Sequence, residues 1–248
     1  MSTLLLDQGN TRWKMATVQG LARGEVVAGD NNDLEAFRNA LARMGGDCAQ
    51  VLVSSVAATG IRSRFVDILE SSTGCRARRV CSTDTLPGVQ AGYRDNAQLG
   101  VDRLLAMVAA RAEVRGPCCV VDAGTAITVD FVDADGDHLG GFILPGLRSF
   151  RDTLLANTAI PRDAQVEEGA EFGRDTATAV DLGARFAVAG LVALVFARRP
   201  AQFGEFPPTV CIGGGDTGRL FDLMPSPCLK IPNLVLQGLA VVAAVEGR

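Results

Sequence analysis

Short apolar strands and amphipathic helices follow one another along the chain in an order that occurs twice. The first half predicts strands over 3–7, 12–18, 25–28 and 51–53, with helices near 34–44, 61–68 and 99–113. The second half predicts strands over 118–121, 126–132, 139–143 and 209–212, and a last helix over 233–245. The turn sequence at 115–117 marks a boundary. We therefore expect an α/β protein with two related lobes, 1–116 and 117–248.

Both predicted lobes begin with an apolar strand that runs into an Asp-x-Gly turn. Asp7 to Thr11 follow the first strand, and Asp122 to Thr125 follow its counterpart. An Asp at such a strand end is a suitable Mg²⁺ ligand, and we assign this role to Asp7. The glycine lets the backbone approach a phosphate, and Lys14 adds a positive charge. One copy alone favours an ordinary hairpin turn; two copies at equivalent places favour two lobes that bind one nucleotide.

A third glycine-rich turn, 213–216, follows the predicted strand 209–212. Glycine allows a backbone to lie flat against a base or ribose, so Gly214 is a candidate contact for the nucleoside of ATP. A flexible strand-to-helix turn is an equally good interpretation of the triplet alone. The Gly-x4-Gly-Lys-Ser/Thr signature is absent, which disfavours a P-loop enzyme.

Charge and composition exclude several function classes. The net charge is −4, with 24 basic and 28 acidic residues, and aromatic residues make up only 5% of the chain, so we expect no nucleic-acid partner. The N-terminus lacks the features of a signal peptide. The longest apolar stretch, 186–197, is shorter than the ~20 residues of a membrane span. It predicts a buried helix and no membrane association.

Cysteine and histidine usage points to a cytoplasmic protein without a histidine-based metal site. Seven cysteines include no Cys-x-x-Cys pair, which favours reduced, mostly buried thiols. His138 is the single histidine and lies in a polar stretch, so we expect a solvated turn residue there. A capping box is predicted from Asn32 and Glu35.

The segment 92–103 ends in Asp102 and Arg103, which the pattern places in the first turn of a helix. The helix dipole favours a carboxylate there and leaves N–H groups for an anionic ligand. A carboxylate beside an arginine suits the orientation of a hydroxyl nucleophile on a substrate that carries its own carboxylate. A helix-start Asp with a solvated Arg is the ordinary alternative.

Four motifs occur in the order seen in type III pantothenate kinases, the family that includes the Bvg accessory factors. They are Asp7-x-Gly-Asn-Thr, Gly-x-Asp102-Arg103, Asp122-x-Gly-Thr125 and Gly173-x-x-Thr176. The resemblance covers nearly the whole chain. It implies a duplicated ribonuclease-H-like fold, as in actin, sugar kinases and heat-shock chaperone ATPases, with ATP in the cleft between the lobes.

The resemblance also implies a role for each matching residue. Asp102 is the expected general base, Asp122 the ligand of a monovalent cation (K⁺ or NH₄⁺), and Thr125 an ATP contact. Thr176 matches a pantothenate contact that reaches across a homodimer interface. The expected ATP-phosphate residues are Asp7, Gln8, Gly9, Asn10, Thr11, Arg12, Trp13 and Lys14, and the expected pantothenate residues are Tyr93, Gly100, Val101, Asp102, Arg103 and Thr176.

The implied reaction is phosphorylation of pantothenate by Mg²⁺-ATP, the first step towards coenzyme A. Two alternatives from other classes stay open: a non-catalytic regulatory protein that keeps the ATP cleft, and a kinase of the same fold that acts on a sugar or on acetate. An intact Asp102–Arg103 pair argues against the first. Only the family resemblance argues against the second.

Overall fold

The computed structural model describes residues 2–19, 22–44, 48–158, 165–204 and 207–247. The chain divides into two compact units, Met1–Glu113 with Asn233–Arg248, and Val114–Pro232. Each unit is built around one five-stranded mixed sheet.

The first unit contains strands β1 (Ser2–Gln8), β2 (Arg12–Gln19), β3 (Ala22–Asp30), β4 (Cys48–Ser55) and β5 (Ala77–Arg79). Its helices are α1 (Leu34–Met44), α2 (Thr59–Thr73), α3 (Val101–Glu113) and α7 (Leu234–Glu246). Consecutive leucines in β1 are all buried, as expected of a strand covered on both faces. Leu4 and Leu6 pack with Phe37 of α1 and Phe65 of α2, and α3 and α7 also pack on the sheet.

The second unit contains β6 (Cys118–Ala123), β7 (Ala126–Val132), β8 (His138–Pro145), β9 (Thr209–Gly213) and β10 (Cys228–Lys230). Its helices are α4 (Leu147–Ala156), α5 (Thr176–Arg198) and the short α6 (Thr217–Leu220). Buried residues of α5, including Val188 and Val192, pack with Val121, Val129 and Ile212 of the sheet.

The two sheets have the same topology. Their strand orders are β3-β2-β1-β4-β5 and β8-β7-β6-β9-β10. In each, the first three strands form an antiparallel meander and the last two run parallel to the first. This repetition confirms the expected duplicated ribonuclease-H-like α/β fold.

The last helix joins the first unit, whereas the sequence analysis assigned it to the second lobe. α7 packs along α3, and Gly238 approaches Leu105 so closely that a Cβ at Gly238 would overlap the Leu105 carbonyl. The first boundary falls after Glu113, close to the predicted turn. The contact between α3 and α7 joins residues that are far apart in the sequence, so no local sequence pattern predicts it.

Two local expectations need correction. Asp33, not Asn32, caps α1: its Oδ1 accepts a hydrogen bond of 2.9 Å from the Ala36 N–H. Asn32 instead bonds through its backbone N–H to Asp30. α3 begins at Val101, after a 3₁₀ turn over Asn96–Gln98.

His138 is buried, not solvated. The polar turn ends at the preceding residue, where Asp133 Oδ1 accepts the Asp137 N–H at 2.8 Å. His138 opens β8, and its Nε2 lies 3.0 Å from Oδ1 of the buried Asp130 on the neighbouring strand. The buried carboxylate gives the imidazole a polar partner, which allows both side chains to leave water.

The apolar stretch at 186–197 is part of a longer helix and is not fully buried. It belongs to α5, whose 23 residues are long and apolar enough for a membrane span by length and composition alone. One side of α5 packs on the sheet, as in the core helix of a soluble domain. On the other side Phe186 and Leu194 are about half exposed, at 52% and 54%.

The cysteines agree with the expectation of reduced thiols. All seven are free, and Cys48, Cys118, Cys119 and Cys211 are buried. Burial raises the pKa of the Cys119 thiol well above its ordinary value, and it raises the pKa of Cys228 to about 11. These two thiols therefore stay protonated at neutral pH.

We expect Gly238→Ala to destabilise the protein by about 1–3 kcal/mol, because the added methyl group forces α7 away from α3. Thermal or denaturant unfolding measures the change. The matched control is Gly60→Ala in α2 of the same unit, where a Cβ meets no other atom within 4 Å; helix propensity makes that change neutral or stabilising. Equal melting temperatures for Gly238→Ala and wild type would contradict the packing described for α7.

Candidate active site

The first Asp-x-Gly turn is a tight connection between β1 and β2. The Gly9 N–H donates to the Arg12 carbonyl at 2.9 Å, which closes the turn. Asn10, Thr11 and Arg12 are exposed. Asp7 and Lys14 are cross-strand partners next to the turn. An open turn flanked by one carboxylate and one ammonium group suits the binding of a polyphosphate with its metal ion.

Two of the predicted ATP residues serve the interior of the first unit. The Gln8 side chain is fully buried, and its Oε1 accepts a 2.9 Å hydrogen bond from Ser55. Trp13 is 1% exposed and packs edge-on against Phe37, with ring centroids 5.1 Å apart. For Gln8 and Trp13, the predicted contact with ATP is therefore restricted to backbone atoms.

The N-terminus of α3 arranges the predicted substrate residues. Gly100 precedes the helix, and its carbonyl accepts the Leu104 N–H at 3.2 Å. Asp102 lies in the first turn, as predicted, and its Oδ1 accepts the Arg103 N–H at 2.8 Å. A Cβ at Gly100 would overlap that carboxylate oxygen, so glycine leaves the space that Asp102 occupies. Val101 is buried and anchors the turn.

Arg103 is not a solvated side chain. It is only 5% exposed, its Nη1 donates to the Tyr93 hydroxyl at 2.5 Å, and its guanidinium carbon lies 5.4 Å from the Tyr93 ring centroid. A buried guanidinium fixed by a tyrosine is well suited to bind a substrate carboxylate, because Arg offers five N–H donors in a rigid fork.

In the second unit, the structure brings two of the predicted turns together. Asp122, half-buried, pairs in register with Gly213. The Asp216 N–H donates to the Ala123 carbonyl at 3.0 Å. Gly214, with φ of +95°, lies against the Ala123 backbone with no space for a Cβ. The turn that holds the candidate nucleoside contact is thus built onto the turn that begins with Asp122.

Thr125 lies exposed at the tip of the second Asp-x-Gly turn. The Gly124 N–H closes this turn on the Ala126 carbonyl at 3.1 Å, as Gly9 does in the first. The Thr125 carbonyl accepts the Gly146 N–H at 3.1 Å, which ties the turn to the start of α4. The Thr125 side chain is therefore carried on a backbone held from two sides.

Thr176 is the exposed first residue of α5. Asp175 caps the helix, since its Oδ1 accepts the Thr178 N–H at 2.8 Å and its Oδ2 the Thr178 hydroxyl at 2.7 Å. These bonds from Thr178 lower the pKa of the Asp175 carboxyl below its ordinary value. Gly173 passes over the Ala179 backbone with no space for a Cβ. The Gly173-x-x-Thr176 motif therefore fixes where Thr176 is presented.

Sequence reasoning missed a charged cavity of about 560 Å³ in the second unit, lined by Arg151, Glu167, Asp181, Arg185 and Arg219. The buried Asp181 carboxylate binds Arg219 from α6 and also Arg185, 3.4 Å away. The i,i+4 spacing of Asp181 and Arg185 was the one available signal. Arg219 Nη1 also lies 3.9 Å from Oδ1 of Asp216, the last residue of the glycine-rich turn, so the cavity adjoins that turn.

The available carboxylates suit a metal ion that arrives already bound to the phosphates of a substrate. Within the described parts of the chain, no group of three or more His, Cys, Asp or Glu residues is arranged to hold a metal ion. Mg²⁺ needs only one or two carboxylates when phosphates and waters supply its other ligands. In the first unit, Asp7 at the end of β1 provides one such carboxylate.

Comparison with known proteins identifies relatives over the whole chain. Residues 3–198 match the family model for type III pantothenate kinase. The type III pantothenate kinase of Azoarcus sp. (strain BH72) is 37% identical over 246 residues, which cover 98% of this chain and 91% of that protein. Those of Ectopseudomonas mendocina and Chromobacterium violaceum are 36% and 37% identical, covering 98% and 97% of this chain and 99% and 98% of theirs.

Solved structures share the fold at lower identity. A protein described as a Baf-family transcriptional activator from Campylobacter jejuni superposes with a TM-score of 0.64 at 18% identity, covering 99% of this chain and 100% of that one. A ROK hexokinase from Thermus thermophilus gives 0.51 at 18% identity, covering 100% and 99%. The archaeal actin homologue Ta0583 gives 0.52 at 13%, covering all of both chains.

Proposed function

The chain belongs to the type III pantothenate kinases and phosphorylates pantothenate with ATP in coenzyme A biosynthesis, and from this premise we propose the role of each site residue. The observation that carries the proposal is the N-terminus of α3, where Asp102 lies next to the buried Arg103, which is held by the half-buried Tyr93. These groups match two of the functional groups of pantothenate, its primary hydroxyl and its carboxylate.

We assign the ATP phosphates to the first Asp-x-Gly turn. Its exposed residues Asn10 and Thr11 offer N–H and side-chain donors, and Lys14 adds a positive charge beside Asp7. Asp7 is the protein ligand proposed for Mg²⁺, which neutralises phosphate charge when bound. Thr125 and Gly214 are the contacts proposed for ATP from the second unit, and the adjoining Arg219 cavity is a place for the nucleoside.

Arg103 and Tyr93 orient pantothenate, and Asp102 acts on its hydroxyl. Asp102 accepts the hydroxyl proton while the hydroxyl oxygen forms a bond to the γ-phosphorus and the bond from that phosphorus to the β,γ-bridging oxygen breaks, which releases ADP. Little proton transfer is needed early in a loose transition state, so positioning is the main contribution of Asp102. Gly100 and Val101 shape the turn that presents it.

Asp122 is the proposed ligand of a monovalent cation, K⁺ or NH₄⁺. Its carboxylate ends a strand beside the Gly213–Gly214 backbone, where a polyphosphate would meet a negative charge. A bound cation lowers the repulsion between this carboxylate and the phosphates. It takes no part in bond making.

We propose that the protein is a homodimer that pairs through α5. The exposed side of this helix carries small and apolar residues at helical spacing: Ala179, Gly183, Phe186, Gly190, Ala193 and Ala197. Such a stripe permits close packing of a second copy of the helix and covers apolar surface. Thr176 is exposed at the start of the same helix, and we propose that it contacts pantothenate in the partner's site. The reduced cysteines support a cytoplasmic location.

Asp102→Asn should keep the fold and ATP binding but lower kcat by about 10²-fold or more, the scale for loss of a positioned general base. Asn keeps an oxygen for the Arg103 N–H, so the melting temperature should change little. Turnover is measured with Mg-ATP and K⁺ on pantothenate, a hexose and acetate, of which we expect only pantothenate to react.

Asp33→Asn is the matched control, because Asp33 is also a helix-start carboxylate that accepts a backbone N–H. It should leave turnover unchanged. Near-normal turnover of folded Asp102→Asn would overturn the catalytic assignment, and preferential phosphorylation of the hexose or acetate would overturn the substrate.

The wild type should be faster with K⁺ or NH₄⁺ than with Na⁺. Asp122→Ala should raise the K⁺ concentration for half-maximal rate by about tenfold or more, equivalent to ~1.4 kcal/mol, with a smaller effect on unfolding. Titration of initial rates with each chloride salt at constant ionic strength measures this. Asp135→Ala, which removes an exposed turn carboxylate of the same unit, is the control. Equal rates with all three cations would refute the cation site.

Phe186→Arg should convert the dimer to a monomer, because a charge in the centre of the α5 stripe cannot be buried without a partner. Light scattering of the purified protein measures the mass, and the monomer should show a raised KM for pantothenate. Leu229→Arg is the control, since Leu229 is also an exposed apolar residue of the second unit, on the edge strand β10. A fully active wild-type monomer would disprove the shared site.

A further inference from the structure

Asn31, directly after β3, holds both sides of the first Asp-x-Gly turn. Its side-chain Nδ2 donates to the Gly9 carbonyl at 2.9 Å, and its backbone N–H donates to the Thr11 carbonyl at 2.9 Å. The residue is only 7% exposed. Asn31 therefore fixes the carbonyls on either side of Asn10, at the tip of the turn.

The two hydrogen bonds also fix the direction of N–H groups. In a planar trans peptide, the C=O and N–H groups point in opposite directions. The Gly9 carbonyl shares a peptide with the Asn10 N–H, and the Thr11 carbonyl shares one with the Arg12 N–H. Because both carbonyls point towards Asn31, the N–H groups of Asn10 and Arg12 point away from it.

The segment that carries Asn31 is itself held rigidly. The Trp13 indole N–H donates to the Asp30 carbonyl at 3.1 Å. A Cβ at Gly29 would overlap the indole ring, so the strand end lies flat on it. Trp13 is packed in turn against Phe37 in the core. The position of Asn31 is thus tied to the hydrophobic core of the first unit.

The Asn31 amide is incompletely satisfied. Its orientation follows from the Gly9 contact, since only the NH₂ group can donate to a carbonyl. The buried Oδ1 then has no hydrogen-bond partner among the described residues. A buried acceptor without a donor lowers stability, a cost that is expected at residues which serve function.

We infer that Asn31 is a positioning residue for ATP: it orients the backbone N–H groups of the phosphate-binding turn without contacting the nucleotide through its own donor. This inference rests on the proposed role of residues 7–14 in binding phosphates. It adds to that role a residue outside the sequence motif, supplied by the next strand of the sheet.

The test uses Asn31→Ala and the isosteric Asn31→Asp in the full chain. Both remove the donor to Gly9 and keep the backbone bond to Thr11. The KM for ATP should rise about tenfold, equivalent to ~1.4 kcal/mol, whereas the KM for pantothenate should stay within about twofold of wild type. Calorimetric titration with a non-hydrolysable ATP analogue should show the same loss of affinity.

Thr73→Val is the matched control. Thr73 makes two hydrogen bonds with Leu69 and Cys75 at the end of α2, in the same unit. Its loss should lower the melting temperature and leave the KM for ATP unchanged. If Thr73→Val and Asn31→Asp shift the KM for ATP equally, Asn31 has a structural role only and the inference is overturned.

Lys14→Met separates the inference from the proposal on which it rests. If Lys14→Met weakens ATP binding and both Asn31 variants do not, the positioning role alone is wrong. If none of the three variants changes ATP binding, the turn is not the phosphate site and the proposed function of residues 7–14 fails. Should Asn31→Ala fail to fold, Asn31→Asp decides between these outcomes.

Discussion

Each unit depends on one backbone hydrogen bond at the end of its first strand, from the glycine N–H of an Asp-x-Gly turn to a carbonyl of the next strand. In the first unit Gly9 bonds to Arg12 and in the second Gly124 bonds to Ala126. This bond reverses the chain tightly enough for an antiparallel meander to form. It also leaves a carboxylate at the strand end and a hydroxyl residue, Thr11 or Thr125, exposed at the tip. The same few turn residues thus serve both the folding of the sheet and the proposed binding of phosphate.

Several arginine side chains are held in fixed positions where they could bind a small anion. Arg103 is held by Tyr93 beside the N-terminus of α3, and Asp181 binds two arginines in the second unit. Desolvated charges are costly unless they are paired. A guanidinium held in a fixed position next to a helix start favours a carboxylate ligand, because its rigid fork of N–H donors matches the two carboxylate oxygens.

The sequence predicts those features of the structure that depend on residues close together in the chain. Most of the succession of strands and helices along the chain, the duplication of the fold and the placement of Asp102 in a first helical turn were correctly predicted, because apolar spacing and turn residues act over short distances. The short edge strands β5 and β10 were not predicted. The burial of His138, by contrast, depends on Asp130 of the adjacent strand. The pairing of Asp181 with Arg219 joins positions 38 residues apart. Neither contact has a periodic signal, and the roles of Gln8 and Trp13 became visible only when their burial was known.

The return of α7 to the first unit has a consequence for biosynthesis. The second unit is one continuous stretch, Val114–Pro232, but the first is completed only by the last residues of the chain. During translation, the face of the first sheet on which α7 packs lacks this helix until the second unit has been synthesised. This takes roughly ten seconds or more at usual ribosome speeds. The order of folding therefore differs from the order of synthesis: the unit that emerges first is the last to be complete.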